Sequence, residues 1–271
     1  TLSFGTVGTG GFGILNSSIA DYSPALQIII TVFMILSGVN YVAYFYLTTK
    51  QIKEIFHVEE IRVYFGVILA SSIFIAFNIR SLYPTLGECF RHAFFQVGSI
   101  ITTTGYATTD FDLWPETSKT ILVLLMFIGA CAGSTGGGLK ISRLLILCKS
   151  IPKQLSLVIH PREIKVIKMD GKAIEHQVMR ATNVYLAIYF FIILGSTLFV
   201  SVDNFDFTTN FTAVVSALNN IGPGLAGVGP TRNFGAFSVF SKFVLMFDML
   251  AGRLELYPLL ILFMPSLWRR K

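Results

Sequence analysis

"TTTGYATTD" (residues 102–110) follows, after Ile101, "LGECFRHAFFQVGSI" (86–100), a semi-apolar stretch of 15 residues. A helix that crosses a bilayer needs about 20 apolar residues, so this length suits a re-entrant helix that enters and leaves on one side. The polar, threonine-rich segment behind it is where that helix breaks. The pairing recurs in "FTTNFTAVVSAL" (207–218) followed by "NNIGPGLAG" (219–227), and "TVGTGGFG" (6–13) supplies a third polar segment. Aligning the three on one glycine puts Gly10, Gly105 and Gly222 in register. They are preceded by Val7, Gly8 and Thr9, by Thr102, Thr103 and Thr104, and by Asn219, Asn220 and Ile221. The stretches that follow also align: "TVFMILSG" (31–38), "SKTILVLLMFIG" (118–129) and "SKFVLMFDMLAG" (241–252) share Gly38, Gly129 and Gly252. The repeated unit reads as outer helix, re-entrant helix, glycine-bearing loop and inner helix, and the first copy is expected to lack both helices before its loop.

Composition agrees with a lipid solvent. The 271 residues are 53% hydrophobic and only 13% charged, with 25 Phe and a mean hydropathy of +0.67. Soluble domains carry about twice that share of charge. Stretches long enough to span lie at 24–48, 61–79, 118–148, 180–201 and 236–267, which predicts an all-α, multi-pass membrane protein. Lys50, Lys53 and Arg62 lie between the first two spans. Nine more cations, from Lys140 to Arg180, lie between the third and fourth, and Arg269, Arg270 and Lys271 end the sequence. Asp21, Glu88, Asp110, Asp112, Glu116, Asp203 and Asp206 fall on the other side. The positive-inside rule then makes the C-terminus cytoplasmic and opens the polar loops outward. The net charge of +6 is a matter of topology and does not call for nucleic acid. No basic segment followed by a short apolar run and a cleavage site opens the sequence, and it reads as the interior of a longer protein.

Backbone without helical hydrogen bonds is tolerated at membrane depth only where protein buries it or water lines it. Repeats set around an axis can turn loop carbonyls inward, and rings of carbonyls replace the hydration shell of a cation. Glycine permits the backbone geometry. Three copies do not close a fourfold ring, so a fourth is expected from residues before Thr1 or from a partner chain.

"TTTGYATTDFDLWP" (102–115), "GACAGSTGGGLK" (129–140), "NNIGPGLAGVGP" (219–230) and "AGRLELYPLL" (251–260) together resemble the membrane subunits of the Trk/Ktr/HKT superfamily of potassium transporters, closest to its bacterial TrkH branch. The resemblance covers the whole sequence. It implies pseudo-fourfold pore repeats, here divided as 1–60, 61–179 and 180–271, in a bacterial inner membrane. It makes Gly10, Gly105 and Gly222 filter glycines, with the three residues before each contributing carbonyls to K+. With one aligned glycine per copy and chemically unlike flanks, the filter is expected to prefer K+ while passing some Na+ or Rb+. The resemblance further implies that the glycine-rich segment (Gly133, Ser134, Thr135, Gly136, Gly137, Gly138 and Lys140) is an intramembrane loop that obstructs the pore below the filter and moves on gating. Arg253 would be a positive barrier beside it. A packing kink for the glycines, and a structural pair of Arg253 with Asp248 or Glu255, remain as alternatives. A TrkA-like ring of cytoplasmic nucleotide-binding subunits and a homodimer are the implied partners, and no organic cofactor is implied.

Other motifs carry less. Gly8, Gly10 and Gly13 match G-x-G-x-x-G, but no strand precedes them and the first acid downstream is Asp21, so the dinucleotide reading fails. Gly133 and Gly138 have Walker A spacing, yet Leu139 stands where the lysine belongs. Cys89, Cys131 and Cys148 lack metal-ligand spacing and read as small core residues. The four histidines receive no role. "IHPREIKVIKMDGKAIEHQ" (159–177) suggests a hairpin turning at Asp170 and Gly171. A coupled secondary transporter built on broken helices and, further off, a membrane-embedded enzyme using Asp110 and Asp112 are the competing functions.

Overall fold

A computed structural model describes residues 1–162, 166–254, 256–262 and 268. Glu255 and the terminal Arg269, Arg270 and Lys271 lie outside the described residues. The first repeat begins with α1 (Leu2–Val7), a last turn of helix before its loop, so this copy retains part of the element that the sequence alone suggested it lacked. The inner helix α2 (Pro24–Ser37) starts at Ser23, whose side chain caps Leu26 N, with Pro24 in the first turn where its missing N–H costs nothing.

The span expected at 24–48 is not straight. α2 ends at Gly38, and α3 (Tyr41–Thr48) leaves at 95°. A side chain at residue 38 would place its Cβ 2.3 Å from the hydroxyl of Tyr64. That hydroxyl donates to Ile35 O (2.9 Å), a last-turn carbonyl that also accepts from Gly38 N (3.2 Å). Groups freed by the break bond to the glycine-rich segment: Cys131 N donates to Gly38 O (3.0 Å) and Tyr41 N to Gly133 O (3.1 Å).

After the short α4 (Ile52–His57), the second repeat runs through α5 (Glu59–Asn78), the re-entrant α6 (Leu86–Ile101) and α7 (Glu116–Phe127). The expected third span is broken across 128–140 and resumes as α8 (Ile141–Ile159). A two-residue antiparallel pair, β1 (Lys168–Met169) and β2 (Lys172–Ala173), turns at Asp170 (φ 51°) and Gly171 (φ 77°), as the hairpin reading expected. The third repeat comprises α9 (His176–Val200), the re-entrant α10 (Phe207–Leu218) and α11 (Val239–Arg253), followed by α12 (Leu256–Leu262).

At 1.5 Å per residue α5 and α9 measure about 30 and 37 Å, enough to cross a hydrocarbon core of about 30 Å. α9 turns Phe191, Leu194 and Leu198 outward, 66–75% exposed on one face, as lipid rather than water would permit. The re-entrant helices are the inverse. α6 packs among α2, α5 and α7, and α10 among α7, α9 and α11. Every residue of α10 from Thr212 to Leu218 is buried.

Candidate functional site

Each re-entrant helix ends in the same hydrogen-bonded loop. In the second copy Thr103 N donates to Ile100 O (3.0 Å), and Thr104 N and Gly105 N both turn back to Ser99 O (2.9 and 3.3 Å). In the third, Asn220 N reaches Ala217 O and Ile221 N reaches Ser216 O (3.0 and 2.9 Å), while Gly222 N takes the Ser216 hydroxyl (3.0 Å). In the first, Thr9 N reaches Thr6 O, and Gly10 N and Gly11 N both reach Gly5 O (3.3, 2.8 and 3.3 Å). Positive φ recurs at Thr9, Thr103 and Asn220 (48°, 59° and 56°) and at Gly11, Gly105 and Gly222 (66°, 85° and 113°).

This fixes the register and corrects the sequence alignment by one residue in the first copy. Gly11, not Gly10, corresponds to Gly105 and Gly222, so the matching quartets are Gly8 to Gly11, Thr102 to Gly105 and Asn219 to Gly222. Val7 falls outside its quartet. It closes α1, and its carbonyl accepts from the Thr135 hydroxyl (3.1 Å).

The loops stand side by side. A Cβ on Gly11 would lie 2.0 Å from Thr104 O, and one on Gly105 would lie 1.8 Å from Ile221 O. Each glycine thus lets the carbonyl of its neighbour's third position pack against bare backbone. At Gly222 the corresponding space is open, with Gly105 Cα the nearest atom at 4.0 Å. A cavity of about 860 Å³ lies there, bounded by Gly8, Thr9 and Gly10 on one side and Asn220, Ile221 and Gly222 on the other. Thr102, Thr103, Thr104, Asn219 and Ile221 are at most 3% exposed. Among the described residues their carbonyls accept no protein hydrogen bond.

The glycine-rich segment lies against all three loops. Gly137 N donates to Thr103 Oγ1 (2.7 Å), and Thr9 Oγ1 donates to Thr135 O (2.9 Å). A Cβ on Gly137 would come within 2.8 Å of Asn219 O. Two of the three left-handed residues, Thr9 and Thr103, therefore use their side chains on this segment, while the third, Asn220, donates to Met249 O of α11 (3.1 Å). Arg253 donates to Thr135 O (3.1 Å) and Gly8 O (3.4 Å), and Lys140 Nζ donates to Gly136 O. All eight residues read from the sequence as a gate line one cavity of about 400 Å³, together with Gly252. The alternative pairing of Arg253 with Asp248 is not formed, and Glu255, the other partner considered, lies outside the described residues. Asp248 is fully buried and accepts from the Ser196 hydroxyl of α9 (2.7 Å).

Sequence reading missed several ties. Asp110 and Asp112, read as acids on the outer side or as the candidates of an enzyme site, fasten the second loop to the third by accepting from Thr231 Oγ1 (3.0 Å) and Ala226 N (3.1 Å). The Tyr189 hydroxyl donates to Asn219 Oδ1 (2.9 Å), bracing a loop residue from α9. Glu60, never singled out, is 3% exposed and bonds to backbone on both sides of the glycine-rich segment. Cys89 and Cys131 are buried, but Cys148 is exposed on α8, against the core reading. Among the described residues no group of three or more His, Cys, Asp or Glu forms a metal cluster.

Repeated re-entrant helices, their glycine-bearing loops packed side by side and a broken helix packed beneath them define a multi-pass, all-α membrane protein of the pore-loop kind. Comparison with known proteins names the family. The family described as "TrkH: Cation transport protein" matches residues 1–270, and the chain belongs to it. The Trk system potassium uptake proteins TrkH of Salmonella typhimurium and Escherichia coli are each 35% identical over 98% of this chain and 56% of their own length. The crystal structure of the potassium transporter TrkH from Vibrio parahaemolyticus superposes with a TM-score of 0.89 at 33% identity, covering 98% of this chain and 58% of that one. The chain thus spans a little over half the length of these relatives.

Proposed function

We propose that this chain forms most of a K+-conducting pore, with the quartets ending at Gly11, Gly105 and Gly222 as its selectivity filter. The observation that carries the reading is the set of buried carbonyls in the second and third loops that, among the described residues, accept from no protein donor, with the first loop packed beside them. A buried carbonyl without a partner costs about 1–3 kcal/mol, and a dehydrated cation is the partner that a re-entrant loop supplies. Potassium uptake by the named relatives fits this chemistry. A fourth loop, from the whole protein or from a partner chain, would close the ring over the open face of Gly222. K+ is preferred, with some passage of Na+ and Rb+, because the three quartets differ chemically.

The segment 133–138 with Lys140 and Arg253 acts as the gate, its backbone packed under the filter and the Arg253 charge opposing cations. Transport draws on the membrane potential, about 2.3 kcal/mol per charge per 100 mV, and needs no covalent catalysis. The protein works in the bacterial inner membrane with its C-terminus cytoplasmic. It does so as a homodimer, docked on a ring of nucleotide-binding subunits.

The test is flux of K+, Na+ and Rb+ into liposomes carrying the full transporter, with Gly105→Ser compared with Gly195→Ala, a control site with no atom within 4 Å of an added Cβ. Gly105→Ser is expected to lose K+ flux or its preference over Na+, and the control to retain both. Equal behaviour of the two variants would overturn the filter. Currents that reverse at the K+ equilibrium potential separate a pore from a coupled carrier.

A further inference from the structure

Glu60 occupies the second position of α5, outside the pore loops, yet one oxygen of its carboxylate accepts from both Ala132 N (2.7 Å) and Ser142 N (3.0 Å). These two amides bracket the glycine-rich segment, one just before Gly133 and the other in the first turn of α8. The neck of the segment is closed by Gly129 N to Leu139 O (2.7 Å) and Ile141 N to Ala130 O (3.3 Å). Glu60 therefore grips both ends of an otherwise glycine-rich loop, and the positive end of the α8 dipole favours its charge there.

The preceding residue is tied in turn to the hairpin. Glu59 N donates to Asp170 Oδ1 at the hairpin tip (2.7 Å). The Glu59 carboxylate pairs with Lys149 of α8, whose ammonium also donates to Lys168 O (2.8 Å). The hairpin is thus bonded to a residue one peptide bond from Glu60.

We infer that Glu60 is the positioning residue that holds the segment 133–138 beneath the filter, and that the hairpin 168–173 acts on this hold through Asp170 and Glu59. The inference rests on the reading of that segment as the gate. Displacing the hairpin withdraws the Asp170 cap from the first turn of α5, moves the Glu60 carboxylate relative to Ala132 and Ser142, and frees the segment.

The experiment is amide hydrogen exchange on the full transporter in lipid nanodiscs, which reads the hold whether or not the pore conducts. Glu60→Ala is expected to speed exchange over 131–142 by about tenfold, the scale of a lost hydrogen bond to a charged group. Glu60→Gln, which keeps an acceptor oxygen, restores most of the protection. Asp170→Ala, on an exposed turn, gives a smaller acceleration of the same amides that disappears in the Glu60→Ala background. Single-channel recording adds a readout that a merely structural role would not move: a higher open fraction with unchanged unitary current and K+/Na+ preference. Unchanged exchange over 131–142 in Glu60→Ala, acceleration spread evenly along α5, or an Asp170→Ala effect of equal size in both backgrounds would each overturn the inference. A wild-type protein that carries no current sinks the pore reading instead, and the exchange result still decides whether Glu60 holds the segment.

Discussion

Gly10 and Gly11 are adjacent and chemically identical, and the structure predicts opposite fates for their replacement by alanine. Gly11 has φ 66°, and an added Cβ would stand 2.0 Å from Thr104 O. Left-handed backbone costs a residue with a Cβ about 1–2 kcal/mol. The overlap is with main chain, so one loop must move by about 1 Å, and forced packing of this kind adds about 1–3 kcal/mol. Together these predict a loss of about 2–5 kcal/mol, concentrated where the first two loops meet. At Gly10 the only close atoms are the Phe12 ring at 3.1 and 3.2 Å, and that ring is 75% exposed and free to turn. Gly10 also lies outside the left-handed region, so alanine there costs less than about 1 kcal/mol and restricts the unfolded chain. Thermal unfolding of the full transporter, read alongside K+ flux, is the assay. Gly11→Ala should lower the midpoint by several degrees and abolish selective flux, while Gly10→Ala leaves both close to wild type. If Gly10→Ala proved the more damaging, the register drawn from the hydrogen bonds would be wrong and Gly10 would be the glycine equivalent to Gly105.

Arg253→Gln removes the charge and weakens the ties to Thr135 O and Gly8 O, so K+ flux should rise severalfold with the preference over Na+ retained; a fall in flux would show that Arg253 supports the pore rather than obstructs it. Asp206 caps α10, and the Thr209 hydroxyl (2.5 Å) and then Thr209 N (3.0 Å) hold its carboxyl below the usual carboxylate range. A depressed folded value stabilises the protein above the unfolded value of about 3.9 and is lost as the pH falls through the folded value. Thermal unfolding between pH 5 and pH 2 should therefore show an acid-induced loss that is shallower in Asp206→Asn, since asparagine still caps a helix; identical slopes would remove Asp206 from the account.

Patterns that repeat within a short stretch were legible in the sequence, whereas those set by distant backbone were not. The bounds 207–218 of the third re-entrant helix could be read because Asp206 caps its start and Asn219 and Asn220 end its apolar run. The hairpin at Asp170 and Gly171 is likewise local chemistry. The first loop slipped by one because "GTGG" offers two glycines, and the choice between them is made by where Gly5 O receives its bonds. The 95° bend at Gly38 was invisible for a similar reason: "LSGVN" reads as continuous apolar helix until Tyr64 and Cys131 take up its broken bonds. Glu60 had no motif to announce it, because its partners are two amides more than 70 residues away.

The glycines of 136–138 have a cause other than flexibility. Only Gly138 of the three has positive φ (68°). An added Cβ would stand 2.6 Å from Ala130 Cβ at Gly136, 2.8 Å from Asn219 O at Gly137 and 2.7 Å from Asn219 Oδ1 at Gly138. The absence of side chains lets this backbone lie against the ends of two re-entrant helices at once, as packing demands. The bonds made there belong to the loops as much as to the segment: Thr103, held at φ 59°, accepts from Gly137 N, and Thr9, at φ 48°, donates to Thr135 O. Withdrawing the segment would strip two strained residues of their partners, so if the segment is the gate proposed above, its place beneath the loops is the favoured one. On the gate reading, opening draws free energy from outside the filter, and a hydrogen-bonded route by which the hairpin reaches the segment runs from Asp170 through Glu59 to Glu60.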